Sequence, residues 1–264
     1  MSEPVAVFQA PHPRIRQVPV DRPWVWLAAG WRDLAAMPRL SLACGLIPVV
    51  AGWLTIVLLG WLDLPYLVLP LGAGFFFVGP FLAVGLYEMS RRREAKLLVD
   101  NKSIFFAWRR NPDQLALMGA LLLLFHLVWM RLAQLLFALF EWRTSSWDRF
   151  ADIAWSSSRS LPFLAVGTAC GAALAAVAFA IGAFSIPYLL DRRGSNLFEA
   201  VAISVAAVRL NLRPMLLWAM LIVGMAAAGM LSGLLGLAIA VPLAGHATWH
   251  AYRDIVIFAE EPRG

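Results

Sequence analysis

The sequence predicts an all-α polytopic membrane bundle. Six transmembrane helices are expected as three helical-hairpin repeats, each led in by an amphipathic helix on the cytoplasmic side. Three observations carry this expectation. The first is composition: 61% of the 264 residues are hydrophobic and 14% are charged, whereas soluble domains run at about 45–50% and about 25%. The second is a series of apolar runs, Leu40 to Leu62, Pro65 to Tyr87, Leu115 to Phe140, Leu161 to Leu190, and Pro214 to Tyr252. A bilayer core takes about 20 apolar helical residues. The third is charge placement, because Lys and Arg cluster beside the runs, as positive-inside orientation requires.

The first 23 residues hold five prolines and no continuous apolar core, so they read as a flexible tail, not a cleavable leader. The membrane domain then occupies 24–258, with repeats at about 24–94, 103–193 and 196–258, and a short tail 259–264. The run from Pro214 to Tyr252 has 39 residues and no charge. As one helix it would be about 58 Å long, roughly twice the hydrocarbon thickness, so it must fold back. "GMLSG", Gly229 to Gly233, is the natural turn. That turn makes the count six.

With six spans, one side receives the tail, the segment Arg91 to Arg110 with seven Lys or Arg, the segment Arg192 to Arg213 with four, and the C-terminus. The opposite side receives "WLDLP" without a base, the glycine turn, and a loop 141–160 with three Arg balanced by three acids. Both termini are therefore expected in the cytoplasm. A five-span arrangement, with "HATWHAYRD" outside, is opposed only by Arg253 and Arg263.

An internal repeat agrees with the even number. The stretches "WVWLAAGWRDLAAMPRL", "SIFFAWRRNPDQL" and "AVAISVAAVRLNLRPML" each pass through Arg to Pro before an odd-numbered span. Pro80, Pro187 and Pro242 each precede a basic exit. Trp24, Trp31, Phe105 and Trp108 are expected at headgroup depth, with Arg32, Arg109 and Arg110 reaching phosphates. On the outside, Trp147, Phe150, Ala151, Ala154 and Trp155 share one face of a short surface helix.

Candidate chemistry is sparse. His246 and His250, at i and i+4, share a helix face and form either a weak metal pair or the wet, interfacial end of a helix. His126 falls near mid-span, about 17 Å along from Leu115, with Arg131 five residues on; together they are the candidate intramembrane polar site. Gly167 and Gly171 form a GxxxG pair for close helix packing. Pro48, Pro80, Pro187 and Pro242 are candidate kinks. No Asp or Glu lies deep in a span, and no HExxH, P-loop, GxSxG or paired CxxC occurs, so an ordinary hydrolase or ATPase is disfavoured. No catalytic residue, metal site or cofactor is assigned. Cys44 and Cys170 do not indicate a disulfide. No basic face with interleaved aromatics marks a nucleic-acid partner.

The phrases "VDRPWVWLAAGWRDLAAMPRLSLACG", "VGPFLAVGLYEMSRRRE" and "GHATWHAYRDIV" resemble a bacterial integral-membrane family catalogued as domain of unknown function 2189. The resemblance runs from about residue 18 to 256 and implies a multi-pass protein of the bacterial inner membrane. Members are often labelled putative cytochrome c oxidase subunit I. A catalytic subunit of that kind needs histidines on several spans, and this chain has four in all. The expected function is a non-enzymatic accessory, scaffold or assembly component, with membrane lipids, other membrane subunits or further copies of itself as partners. The alternative is a small-molecule or lipid permeation protein using the kinked bundle with His126 and Arg131.

Overall fold

A computed structural model describes residues 13–140 and 160–258. The loop segment around Trp147 and Trp155, and the tail 259–264, lie outside the described residues. The described chain is almost wholly helical: α1 (Arg22–Ala36), α2 (Pro38–Trp61), α3 (Val68–Leu82), α4 (Val84–Glu94), α5 (Asn101–Phe105), a 3₁₀ turn (Ala107–Arg110), α6 (Pro112–Leu139), α7 (Ser160–Gly182), α8 (Ser185–Asp191), α9 (Leu197–Leu210), α10 (Leu212–Leu231) and α11 (Leu237–Ile255).

Among the described residues, four helical stretches are long and apolar enough to cross a membrane: Pro38–Trp61, Pro112–Leu139, Leu161–Asp191 and Leu212–Leu231. The runs expected to supply two further spans behave differently. The first is divided, with α3 ending at Leu82 and α4 resuming at Val84. The second is α11, whose 19 residues include Gly245, His246, Thr248, His250 and Arg253. Its lower apolarity has a packing cause, because α11 touches α1, α2, α4 and α10 and is covered by protein.

Small residues allow that covering. A Cβ at Gly45 would lie 2.2 Å from the Ala238 carbonyl oxygen and 2.8 Å from Pro242 Cγ. Pro242 lacks the N–H that would bond that carbonyl within α11, so the freed oxygen faces the Gly45 backbone. A Cβ at Gly30 would lie 2.7 Å from Ala247 N, and one at Gly245 2.7 Å from Leu86 Cδ1. Pro48 and Pro80 also sit inside helices, whereas Pro187 lies in the first turn of α8, where its missing N–H costs nothing.

The turn before α11 falls at 232–236, three residues later than the glycines predict. Gly229 stays helical because Leu237 and Gly236 pack against its backbone. Positive φ falls on Gly233 and Leu234, and the Ser232 hydroxyl accepts from Gly236 N while donating to Gly229 O. α9 starts where the Asn196 side chain accepts from Glu199 N, at 2.9 Å.

The tail expected to be flexible over 1–23 is tied down from Arg14 onward. Arg14–Ile15 pairs antiparallel with Val256–Ile257. Asn211, buried at the α9–α10 junction, accepts from Val18 N and donates to Arg16 O. Asp254 accepts from Arg16, from Arg22 Nε at 2.6 Å, and from Trp26 Nε1 at 2.9 Å. One side chain thus ties the last helix to the stretch from Arg16 to Trp26.

Candidate functional site

The basic end of the bundle holds a buried polar knot built from four helices. α1 supplies Asp33, α2 supplies Ser41 in its first turn, α4 supplies Ser90 and Arg93, and α11 supplies His246 and His250. The i, i+3 spacing in α4 and the i, i+4 spacing in α11 put each of those two pairs on one helix face. Asp33, Ser41, Ser90 and His246 are at most 1% exposed.

The hydrogen bonds run in one order. Ser90 Oγ donates to Asp33 Oδ2 at 2.5 Å, so its oxygen is left to accept from His246 Nδ1, 2.7 Å away. A neutral His246 then carries its proton on Nδ1, and Nε2 accepts from the Ser41 hydroxyl at 3.0 Å. His250 Nε2 donates to Asp33 Oδ2 at 2.8 Å, and Arg93 pairs with Asp33 Oδ1. The chain Ser41, His246, Ser90, Asp33 is fully satisfied, as a buried network must be to stabilise. Burial alone raises the Asp33 carboxyl; the hydrogen bonds from His250 and Ser90 outweigh it and hold the group below its ordinary 3.8.

Chemically, the knot holds a carboxylate ionised inside protein and fixes the His246 tautomer. Both imidazole nitrogens of His246 are taken by serine hydroxyls, and His250 spends Nε2 on Asp33. The two rings do not converge on a metal, and among the described residues no three His, Cys, Asp or Glu are grouped to hold one. His246 is enclosed by protein, with no wet tip, because α1, α2 and α4 surround its part of α11. His250 keeps a side chain 26% exposed.

Sequence reasoning missed Asp33, Ser41, Ser90 and Arg93. The signal was present for Asp33: the buried face of α1 is Trp26, Ala29, Gly30, Asp33 and Leu34, so a carboxylate stands at a core position of an amphipathic helix. The outward face of the lead-in helices carries Trp24 (56% exposed), Trp31 (53%), Phe105 (74%) and Trp108 (45%).

His126 and Arg131 are not brought together. The His126 ring occupies the place of a side chain at Gly74, with Cε1 and Nδ1 2.1 and 2.2 Å from where a Cβ would stand. Its Nδ1 is buried without a hydrogen-bond partner. Arg131 is exposed and donates to Gln134 Oε1 within its own helix. A Cβ at Gly171 would lie 3.0 Å from the Trp129 ring and one at Gly167 3.8 Å from Leu136, so the GxxxG pair faces α6.

A helical bundle with four lipid-length apolar helices and a polar knot at one end defines a multi-pass integral membrane protein. Residues 68–191, α3 through α8, match the model of the family described as Predicted integral membrane protein (DUF2189). No curated protein and no solved structure matches the chain.

Proposed function

We propose that this protein is a six-span, non-enzymatic component of a larger assembly in the bacterial inner membrane, with both termini cytoplasmic. Paired ends support the topology: Arg14–Ile15 against Val256–Ile257 requires an even number of crossings. With four long apolar helices, adding the divided α3–α4 and the protein-covered α11 makes six. Successive short helix, long helix and return helix in the element order support three hairpin repeats at about 24–94, 103–193 and 196–258. Basic clusters on the side of the paired ends support the orientation.

The observation that carries the assembly role is the outward face of α7. In its most apolar window only 6% of residues are buried by the rest of the chain. Exposed positions there include Ala165, Ala169, Ala172, Ala173 and Ala176 beside Leu161, Leu164, Val166 and Val177, whereas the exposed positions of α6 are richer in leucine, with Leu117, Leu123, Leu124, Leu127 and Leu135 beside Ala116 and Ala120. Leucines fill a lipid contact; alanines at this spacing let another transmembrane helix approach to backbone distance. A respiratory complex is one setting for such a helix.

The test is isolation of the tagged chain from native membranes in mild detergent. Another membrane protein, or a second copy, should co-migrate and be lost when Ala169→Leu and Ala172→Leu are introduced together. A lone, partnerless chain in both cases defeats the proposal. The alternative, permeation of a small molecule or lipid, rests on the unpartnered Nδ1 of His126 at the α3–α6 contact. Replacing His126 and Arg131 by Leu with no change in flux or lipid profile removes it.

A further inference from the structure

We propose that Arg91, Arg110 and Arg193 form a binding site for the phosphate of an anionic phospholipid at the basic boundary of the bundle. Three separate stretches of chain deliver these cations to one level. Arg110 stands two residues before the apolar helix Pro112–Leu139, Arg193 two residues after the apolar stretch Leu161–Asp191, and Arg91 in the last turn of α4. The 3₁₀ turn packs against both α4 and α8, which brings the three stretches together.

Local carboxylates do not balance them. Glu88 is 2% exposed and serves three guanidiniums: Arg91 bidentately at 2.7 Å, Arg92 at 3.0 Å, and Arg110 only at 3.8 Å. Asp191 is engaged by the Tyr252 hydroxyl and by Arg253. Arg193 has no ion-pair partner among the described residues. Arg110 spends Nε on the Leu190 carbonyl at 2.7 Å and keeps its two terminal nitrogens for another acceptor. Burial and repulsion from Arg91 and Arg193 lower its pKa in spite of the opposing attraction of Glu88 and Asp191, so an anion between these groups would be favoured. A phosphate fits because it accepts from several guanidinium forks at once.

The surroundings favour a lipid over free phosphate. Beside the cations, Phe105 and Trp108 present exposed rings, and the Arg109 guanidinium lies 4.4 Å from the Phe106 ring centroid. Leu98, 81% exposed, is a further apolar side chain on this end, its carbonyl accepting from Arg92. Such a rim meets acyl chains while the guanidiniums meet the headgroup.

The experiment places the purified full chain in nanodiscs of phosphatidylcholine with and without phosphatidylglycerol and reads retained lipid by native mass spectrometry. Phosphatidylglycerol should be retained over phosphatidylcholine. Arg193→Gln, which removes no described contact, should weaken that retention about five-fold. Adding Arg110→Gln should weaken it about as much again, while Arg39→Gln, an exposed cation at the start of α2, should leave it unchanged. Equal retention of the two lipids overturns the proposal. So does an equal loss in Arg39→Gln, which would mean diffuse surface charge, or full displacement by millimolar inorganic phosphate, which would mean a free-anion site.

Discussion

α7 and α11 reverse the relation between apolarity and burial found in soluble proteins. α7 belongs to one of the most apolar stretches of the chain, with a mean hydropathy of 2.2, yet almost none of it is buried by protein. α11 carries two histidines, a threonine, an arginine and an aspartate, yet His246, Ala247, Trp249, Ala251 and Tyr252 are at most 1% exposed. Lipid replaces the core for the first helix, and neighbouring helices replace lipid for the second. Apolarity along this chain therefore reports contact with hydrocarbon, while a polar residue in a long run reports contact with another helix.

Breaking the knot that α11 depends on should have the largest effect. Asp33→Ala leaves Arg93 and His250 facing a buried void and should destabilise the fold by about 3–5 kcal/mol, read by denaturant unfolding in mixed micelles. Next, Gly45→Ala at the α2–α11 crossing drives a methyl into the Ala238 carbonyl and should cost about 1–3 kcal/mol in the same measurement. The counterpart on α7, Gly167→Ala, meets nothing closer than 3.8 Å and should change stability by less than about 0.5 kcal/mol. Equal effects at the two glycines would erase the contrast between the helices.

The pH dependence gives a finer test. Asp33 is held below its ordinary 3.8 in the folded chain. Its stabilising contribution is complete above that value and is lost as pH falls through the lower folded value. Unfolding profiles of the wild type and Asp33→Asn should therefore converge on acidification below about 4 and run parallel from about pH 5 upward. A gap that widened on acidification would contradict the ionised, hydrogen-bonded carboxylate.

Much of α2, α6, α7 and α10 was legible because a lipid-facing helix has only to be long and apolar, and composition records that directly. The lead-in helices were legible for a related reason, since Trp24 and Trp31 alternate with a buried face. The knot was not, because its residues come from positions as far apart as 33 and 250, and no local pattern states which polar group will meet which. His246 was read at a wet boundary since distance along the helix to Arg253 was the only ruler; burial by α1, α2 and α4 is a tertiary fact. Asp33 was missed although its signal was local, a carboxylate standing in the apolar register of α1. The clasp of Arg14–Ile15 onto the C-terminal strand lies in a proline-rich tail whose composition argued for freedom.

In the proposed topology α11 crosses the bilayer inside a sleeve of protein, which sets Val256–Ile257 beside Arg14–Ile15. With Cys44 and Cys170 replaced by Ala, single substitutions Leu235→Cys and Ile257→Cys can be labelled in sealed right-side-out vesicles with a membrane-impermeant thiol reagent. The account predicts labelling at 235 in intact vesicles and at 257 only after permeabilisation. Labelling of both positions from one side, with neither gaining on permeabilisation, would contradict it.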